Sequence, residues 1–294
     1  MSVYGAPPAG GEDQERAVTT STIRAAKGRR KIAMVTAYDY PSALMVDAAG
    51  VDIILIGDSF GMVVLGRPDT LSVTLEEAIH HARAVAAGVS RALVVSDMPF
   101  MTYEEGPAQA MENAARLLRA SGVRAVKLEG GKIILPQVKA LVDAGVPVMG
   151  HIGLTPQRSA VLGGFRVQGK TAAAARSLVE DALALQEAGC FALLLEAIPP
   201  AAAEIITGSL RIPTIGIGAG ASCDGQVLVL HDMLGLNEGH LPRFVKQYAQ
   251  LAAEGRKAVA RYVQEVRDGT FPAAEHCYSM PEEEERALRG SMRA

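Results

Sequence analysis

The chain contains 294 residues, of which 49% are hydrophobic, and its formal net charge at pH 7 is −3. This length is sufficient to bury a large core and is compatible with one α/β barrel domain. The slight negative charge argues against a nucleic-acid surface, which is usually basic. No stretch reaches the roughly 18 consecutive apolar residues that a membrane helix needs. We therefore expect small-molecule partners, and neither a nucleic acid nor a membrane.

The start of the chain and its cysteines bear on location. Residues 1–19 are rich in glycine and proline and then charged, and they lack the apolar segment of about 7–15 residues that marks a signal peptide. The three cysteines are odd in number and lack the spacing of metal ligands. Reduced thiols of this kind are typical of the cytosol, so the expected location is cytoplasmic.

Apolar, β-rich segments alternate along the chain with amphipathic or alanine-rich segments. The eight predicted strands begin near Ile32, Val51, Ala92, Val123, Val146, Phe191, Ile212 and Val227. Predicted helices between them cover approximately Tyr40–Ala49, Thr74–Ala87, Glu104–Ala120, Lys132–Ala144, Thr171–Ala188 and Pro200–Thr207, and a last helix is expected from Pro242 to about Val266. Helix stops are expected at Gly50, Gly122, Gly145 and Gly189, because a left-handed glycine commonly ends a helix.

Eight strands alternating with helices predict a single-domain (β/α)8 TIM barrel, an α/β fold whose parallel strands are buried on both faces. We expect a flexible segment at residues 1–19, the barrel domain at 20–268 and a C-terminal tail at 269–294. A capping helix that begins near Thr20 would close the bottom of the barrel. A doubly wound sheet is the alternative, but the number of strands favours the barrel.

Four of the apolar strands end in a carboxylate: Asp58, Asp97, Glu129 and Glu196. Parallel α/β folds bind ligands at the C-terminal ends of their strands, so these acids are expected to converge on one anionic pocket. Oxygen ligands without a nearby cluster of histidine or cysteine favour Mg²⁺ over zinc or copper. The apolar segment that ends at Glu196 contains few other charged residues. Such surroundings favour a carboxylate that accepts a proton readily.

Lys127 and Glu129 are two residues apart, so on a strand both side chains point to the same face. Val126 and Leu128 would then face the helices, and the two charges would lie inside the barrel. Buried charges are costly unless they are paired or bind a ligand, so this pair is either a structural ion pair or part of a site. His151 ends the fifth strand, where it either contacts a substrate or supports neighbouring side chains.

Several long motifs surround these residues: Gly57–Val63, Asp97–Phe100, Val126–Gly130, His151–Gln157, Gly163–Gly169, Ile212–Gly220, Cys223–Gly235 and Phe271–His276. In this order they resemble the ketopantoate hydroxymethyltransferase family, and the resemblance is collinear from about Thr22 to His276. It implies a TIM barrel that transfers a hydroxymethyl group from 5,10-methylenetetrahydrofolate to 3-methyl-2-oxobutanoate. The implied product is 2-dehydropantoate, in pantothenate biosynthesis.

The resemblance also implies roles for individual residues. It makes Asp58, Asp97 and Glu129 the Mg²⁺ site, partly through water. It places Asp58, Ser59, Asp97 and Lys127 against the keto acid, to which we add His151, and it makes Glu196 the proton acceptor. It further implies a homo-oligomer, commonly a decamer.

Two other functions compete with this interpretation. Lys127 could form a Schiff base in an aldolase built on the same barrel. Residues 164–171 match the GxxxxGK[ST] pattern of a nucleotide-binding P-loop, but about a dozen residues separate them from the preceding strand, which argues against that motif. The glycine-rich run at residues 216–220 is either a tight turn or a place where backbone approaches the folate closely.

Overall fold

The computed structural model describes residues 17–239 and 241–292. Parallel strands form a closed barrel in chain order: β1 (Ile32–Thr36), β2 (Ile53–Ile56), β3 (Leu93–Asp97), β4 (Ala125–Glu129), β5 (Val148–Gly153), β6 (Ala192–Glu196), β7 (Thr214–Ile217) and β8 (Gly225–Leu228). Pairing of β1 with β8 closes the barrel. The predicted TIM barrel is confirmed, and each strand begins within two residues of its predicted position.

The described helices are α1 (Thr20–Ala25), α2 (Tyr40–Ala48), α3 (Phe60–Val63), α4 (Leu75–Gly88), α5 (Pro107–Ser121), α6 (Leu135–Asp143), α7 (Ser159–Leu162), α8 (Ala172–Glu187), α9 (Pro200–Ser209), α10 (Leu230–Met233), α11 (Leu251–Arg267) and α12 (Glu282–Ser291). The expected glycine stops have positive φ at all four positions: Gly50, Gly122, Gly145 and Gly189. Among the described helices, none is both long and apolar enough to cross a membrane.

The strands separate two apolar layers. The inner layer fills the barrel with side chains such as Met34, Leu55 and Met149. The outer layer lies between the strands and the helices and includes Val126 and Leu128. Strand residues are therefore buried on both faces, which explains why their sequences read as continuous apolar runs.

Helix α1 lies at the N-terminal ends of the strands, as predicted for a capping helix. Thr19 caps it, and Ile23 is fully buried in the inner layer. Lys27, just after the helix, forms a 2.8 Å ion pair with Asp224, which precedes β8. The backbone N–H of Val18 also donates to the carbonyl of Arg91, before β3. Residues 1–16 of the predicted flexible segment lie outside the described residues.

The last long helix differs from the prediction. Helix α11 begins at Leu251, so the expected start at Pro242 is wrong. The N–H groups of Tyr248 and Leu251 donate to carbonyls of Met233 and Leu234 instead of continuing a helix upstream. Residues 241–250 therefore follow an irregular path along α10. Within them, Phe244 packs against the inner apolar layer, and this tertiary contact overrides the local helical pattern.

The end of β5 approaches the end of β6 unusually closely. Gly153 has a φ of 98°, and a Cβ atom there would lie 2.3 Å from the carbonyl oxygen of Glu196. That same oxygen accepts a hydrogen bond from the N–H of Leu154 at 2.8 Å. Only glycine permits this close approach of the two backbones, which fixes the position of Glu196 at the end of β6.

We expect Gly153→Ala to lower the free energy of unfolding by about 1–3 kcal/mol, because the side chain would strain a left-handed backbone against β6. Urea denaturation followed by circular dichroism measures the change. Gly208→Ala is the matched control: Gly208 lies in α9 with open space around its Cα. That substitution should be neutral or stabilising by up to about 1 kcal/mol. Equal effects of the two substitutions would contradict the close approach.

Candidate active site

The C-terminal ends of the strands open into one cavity of about 1240 Å³. All of the residues predicted for the site line this cavity: Asp58, Ser59, Asp97, Lys127, Glu129, His151 and Glu196. The expected convergence of the strand-terminal acids is therefore present. It arises because parallel strands in a closed barrel all end at the same rim.

The register between strands sets the neighbours in the site. Asp97 on β3 is aligned with Lys127 on β4, and Glu129 on β4 is aligned with His151 on β5. Side chains at aligned positions of adjacent parallel strands point to the same face, here the barrel interior. The sequence places each residue on its strand, and the register then brings acid and base side by side.

Lys127 is the central cation of the site. Its Nζ lies 2.7 Å from Asp97 Oδ1, 3.6 Å from Glu129 Oε1 and 3.1 Å from Nδ1 of His151. Burial lowers the pKa of Lys127, but Asp97, Glu129 and Asp58 together raise it above its ordinary value. A Schiff base needs an amine with a lowered pKa, so the surroundings of Lys127 oppose the aldolase alternative.

Hydrogen bonds connect Asp58 directly to Asp97 and, through Gln157, to Glu129. The N–H of Asp58 donates to Asp97 Oδ2 at 3.0 Å, and Gln157 Nε2 donates to Asp58 Oδ2 at 2.8 Å. The backbone N–H of Gln157 also donates to Glu129 Oε2 at 3.0 Å. Gln157 therefore connects two of the acids, and Tyr103 in turn donates to its Oε1 at 2.6 Å.

The acids differ in how readily they lose a proton. Burial raises the pKa of Asp58 well above its usual range, and the charges of Asp97 and Glu129 raise it further. Burial also raises the pKa of Asp97, although Lys127 opposes the shift. The pKa of Glu129 is lowered despite burial, because His151 and Lys127 stabilise its anion.

His151 lies between two carboxylates. Its Nδ1 is 3.2 Å from Glu129 Oε1, and its Nε2 is 3.3 Å from Glu196 Oε2. Burial and the charge of Lys127 lower the pKa of His151, but Glu129 and Glu196 raise it more, to about 9. The two carboxylates therefore favour the protonated imidazole, which is a cation. The expectation that Glu196 has few charged neighbours is wrong, because β5 brings this cation next to it.

The donor set of the site fits a magnesium ion. At the charged cluster the acids outnumber the cations, because Asp58, Asp97, Glu129 and Glu196 lie around Lys127 and His151. The cavity lining also includes three arginines, which lie in loops: Arg67, Arg166 and Arg243. Across residues 17–239 and 241–292, no three side chains of His, Cys, Asp or Glu converge as direct ligands of one metal. Mg²⁺ does not need such a group, since it usually keeps several waters and takes one or two carboxylates. Asp58 and Asp97, whose mutual repulsion a divalent cation would relieve, are the residues that could hold it.

The sequence did not indicate a role in the site for Tyr38 or Tyr103, and it did not show what Gln157 contacts. Tyr38 is buried, and its OH lies 2.8 Å from Ser59 Oγ. Tyr103 supports Gln157, which itself belongs to the His151–Gln157 motif. The motif signalled that Gln157 matters, but nothing in the sequence indicated that it reaches two acids on different strands.

The P-loop alternative is wrong. Strand β5 ends at Gly153, and helix α7 (Ser159–Leu162) intervenes before residues 164–171. The segment is thus not the strand-to-helix turn that cradles a phosphate. Instead, Phe165 and Arg166 line the outer part of the cavity.

A closed (β/α)8 barrel with acids and a lysine at the C-terminal ends of its strands defines an enzyme of the TIM-barrel class, in which small ligands bind at that rim. A family model described as ketopantoate hydroxymethyltransferase matches residues 17–274. The chain belongs to this family and is therefore a transferase.

Relatives in several organisms carry the same name, 3-methyl-2-oxobutanoate hydroxymethyltransferase. The protein of Oleidesulfovibrio alaskensis is 66% identical over 93% of this chain and 94% of its own length. The protein of Pyrobaculum calidifontis is 58% identical, over 90% of this chain and 98% of its own. That of Syntrophobacter fumaroxidans is 55% identical over 93% and 97%.

Solved structures with low sequence identity share the fold. Phosphonopyruvate hydrolase in complex with oxalate and Mg²⁺ superposes with a TM-score of 0.56 and 14% identity, covering 93% of this chain and 95% of that one. 2,3-Dimethylmalate lyase, a member of the PEP mutase/isocitrate lyase superfamily, also gives 0.56, with 18% identity over 93% and 96%. At these identities the likeness concerns the barrel fold alone.

Proposed function

We propose that the chain transfers a hydroxymethyl group from 5,10-methylenetetrahydrofolate to 3-methyl-2-oxobutanoate in the presence of Mg²⁺, giving 2-dehydropantoate. The names of its relatives support the transfer and the keto acid. The single observation that carries the chemistry is the buried cluster in which Asp58, Asp97 and Glu129 surround Lys127 at the barrel mouth. With a divalent cation bound, such a cluster would suit a substrate that carries negative charge and forms more of it during the reaction.

The keto acid is proposed to bind against this cluster. Asp58 and Ser59 follow β2, and Asp97 is the last residue of β3, so they form one wall of the inner cavity. A bound Mg²⁺, held by Asp58, Asp97 and Glu129 in part through water, would supply Lewis-acid polarisation of the keto oxygen. Lys127 adds a fixed positive charge that favours the substrate carboxylate and the developing enolate.

Glu196 is proposed as the base that removes the proton from C3 of the keto acid. It lies at the end of β6, its side chain is 16% exposed in the cavity, and His151 Nε2 is 3.3 Å from its Oε2. His151 thus orients one carboxylate oxygen and leaves the other for the substrate. The enolate carbon then forms a bond to the one-carbon unit, water supplies the hydroxyl oxygen, and the two bonds from that carbon to the folate nitrogens break. The proton taken by Glu196 and the second proton of water restore the two N–H groups, so tetrahydrofolate leaves.

We expect Glu196→Gln to lower the rate of deuterium exchange at C3 by roughly 10²–10⁴-fold, the usual contribution of a general base. The assay contains 3-methyl-2-oxobutanoate and Mg²⁺ in deuterated water without folate, and NMR follows the loss of the C3 proton signal. Glutamine preserves shape and hydrogen bonding but cannot accept the proton. Binding of Mg²⁺ and keto acid should stay close to wild type. Exchange at the wild-type rate in the variant would assign the base to another residue.

We expect EDTA to abolish turnover and added Mg²⁺ to restore it. Asp58→Asn and Asp97→Asn should each raise the Mg²⁺ concentration for half-maximal activity at least about tenfold, since altering even an outer partner of a metal ligand costs 10–100-fold. Asp143→Asn is the matched control, because Asp143 is an exposed acid that pairs with Lys139 on α6. Identical Mg²⁺ titrations for wild type and both site variants would remove these acids from the metal site.

We also propose a homo-oligomer, with a decamer as the form that the family resemblance implies. Helix α11 supports an assembly, because Val259, Tyr262 and Val266 are at least 45% exposed on it. Apolar residues exposed at helical spacing are typical of an interface. We expect sedimentation at micromolar concentration to give a mass several times that of the chain. A monomer mass would contradict the proposal.

A cytoplasmic location completes the proposal. Cys190 and Cys223 are buried free thiols and Cys277 is an exposed one. Three unpaired cysteines are typical of a reducing compartment.

A further inference from the structure

The mouth cavity has two chemically different halves. Charged residues of the proposed site come from the ends of β2 to β6. The half formed by the ends of β7 and β8 is lined by small or apolar residues: Ile217, Gly218, Gly220, Val227 and Val229. This second half takes no part in the chemistry assigned to Lys127 and Glu196.

The cavity is larger than the keto acid requires. Its volume is about 1240 Å³, whereas pockets for drug-sized ligands are commonly about 300–1,000 Å³. A small keto acid at the charged cluster would leave most of this space open. The remaining space has the size of a second, larger ligand.

The β7–β8 half has a flat apolar wall. A Cβ atom on Gly218 would lie 2.6 Å from Cδ1 of Phe244, so the phenyl ring rests directly on the backbone after β7. Gly218 has a φ of 64°, which glycine adopts without strain. The wall therefore presents a ring and bare backbone, which suits a planar heteroaromatic group.

One carboxylate stands at the edge of this wall. Asp232 on α10 lines the cavity, and Asn237 Nδ2 donates to its Oδ1 at 3.0 Å. Within the described residues, Asp232 has no ion-pair partner. Its neighbour His231 packs against the ring of Tyr38, with centroids 5.4 Å apart, and Tyr38 in turn contacts Ser59. An oriented carboxylate without a cation thus lies close to the keto-acid half.

Cations lie farther out, at the rim. Arg166 and Arg243 line the cavity and are exposed, and neither side chain has an ion pair or hydrogen bond within residues 17–239 and 241–292. Beside the apolar wall, the mouth therefore offers the Asp232 carboxylate and two exposed guanidinium groups, Arg243 in the segment after α10 and Arg166 in the loop after α7. A matching ligand has a flat head with hydrogen-bond donors and a tail with carboxylates.

We propose that this half is the folate subsite, and that Asp232 accepts hydrogen bonds from the N3–H and the 2-amino group of the pterin. These two donors lie side by side on one edge of the ring, as the two oxygens of a carboxylate do. The glutamate carboxylates of the folate then lie toward Arg166 and Arg243. The inference rests on the proposed use of 5,10-methylenetetrahydrofolate as the one-carbon donor.

The test is Asp232→Asn, which keeps the size of the side chain but replaces an acceptor by a donor. We expect KM for 5,10-methylenetetrahydrofolate to rise about 10–100-fold, because a charge-assisted pair of hydrogen bonds is lost. Folate-free exchange of the C3 proton, in which the pterin takes no part, should keep the wild-type rate. Glu238→Gln is the control: Glu238 lies in the same loop and pairs with Arg256 outside the cavity. Its KM should match that of wild type.

A folate analogue without the 2-amino group provides the second readout. Compared with tetrahydrofolate, it should inhibit wild type less well, and this difference should disappear in Asp232→Asn. An unchanged KM in the variant, or loss of the folate-free exchange together with transfer, would overturn the subsite. Failure of the proposed function is distinguishable, because wild type would then show no folate-dependent product at all.

Discussion

The ammonium group of Lys127 is the interaction on which the barrel mouth depends. Three buried carboxylates would repel one another at this distance, and removing charge from water is costly unless it is compensated. Lys127 lies within 2.7 Å of Asp97 and 3.6 Å of Glu129, so it offsets part of that repulsion from inside the barrel. His151 compensates the side toward Glu196. The remaining negative charge is what a divalent cation would balance.

This arrangement places polar chemistry on one side of the barrel and leaves the other side apolar. Glycine at 218 and the ring of Phe244 form a surface that no charged strand end interrupts. The division has a simple origin in the sequence. β3, β4 and β6 end in an acid, Asp58 lies two residues after β2, and His151 lies two residues before the end of β5, whereas Gly218 follows β7 and Val229 follows β8. Under the proposed function, two substrates of different polarity would lie side by side, with their reacting atoms at the boundary.

Much of this could be predicted, because the relevant signals are local. Continuous apolar segments, typical of strands buried on both faces, predicted the strands. Glycine residues after several helical segments predicted helix ends, for example at Gly50 and Gly122. The two-residue spacing of Lys127 and Glu129 predicted that both point inward. The prediction that the last helix begins at Pro242 failed. Residues 241–250 instead hydrogen-bond to α10, and Phe244 packs against the inner apolar layer.

The sequence by itself determined the class of the fold, the strand that carries each acid and the side to which each points, because strand periodicity and parallel order require only local information. Only the tertiary structure decided which groups touch. The pairing of β5 with β6 aligns Glu196 with Gly153, and the side chain of His151 reaches it at 3.3 Å. The loop after β5 brought Gln157 to both Asp58 and Glu129. Such contacts depend on distances of a few ångströms between residues far apart in the chain, and these distances exist only once the barrel has closed.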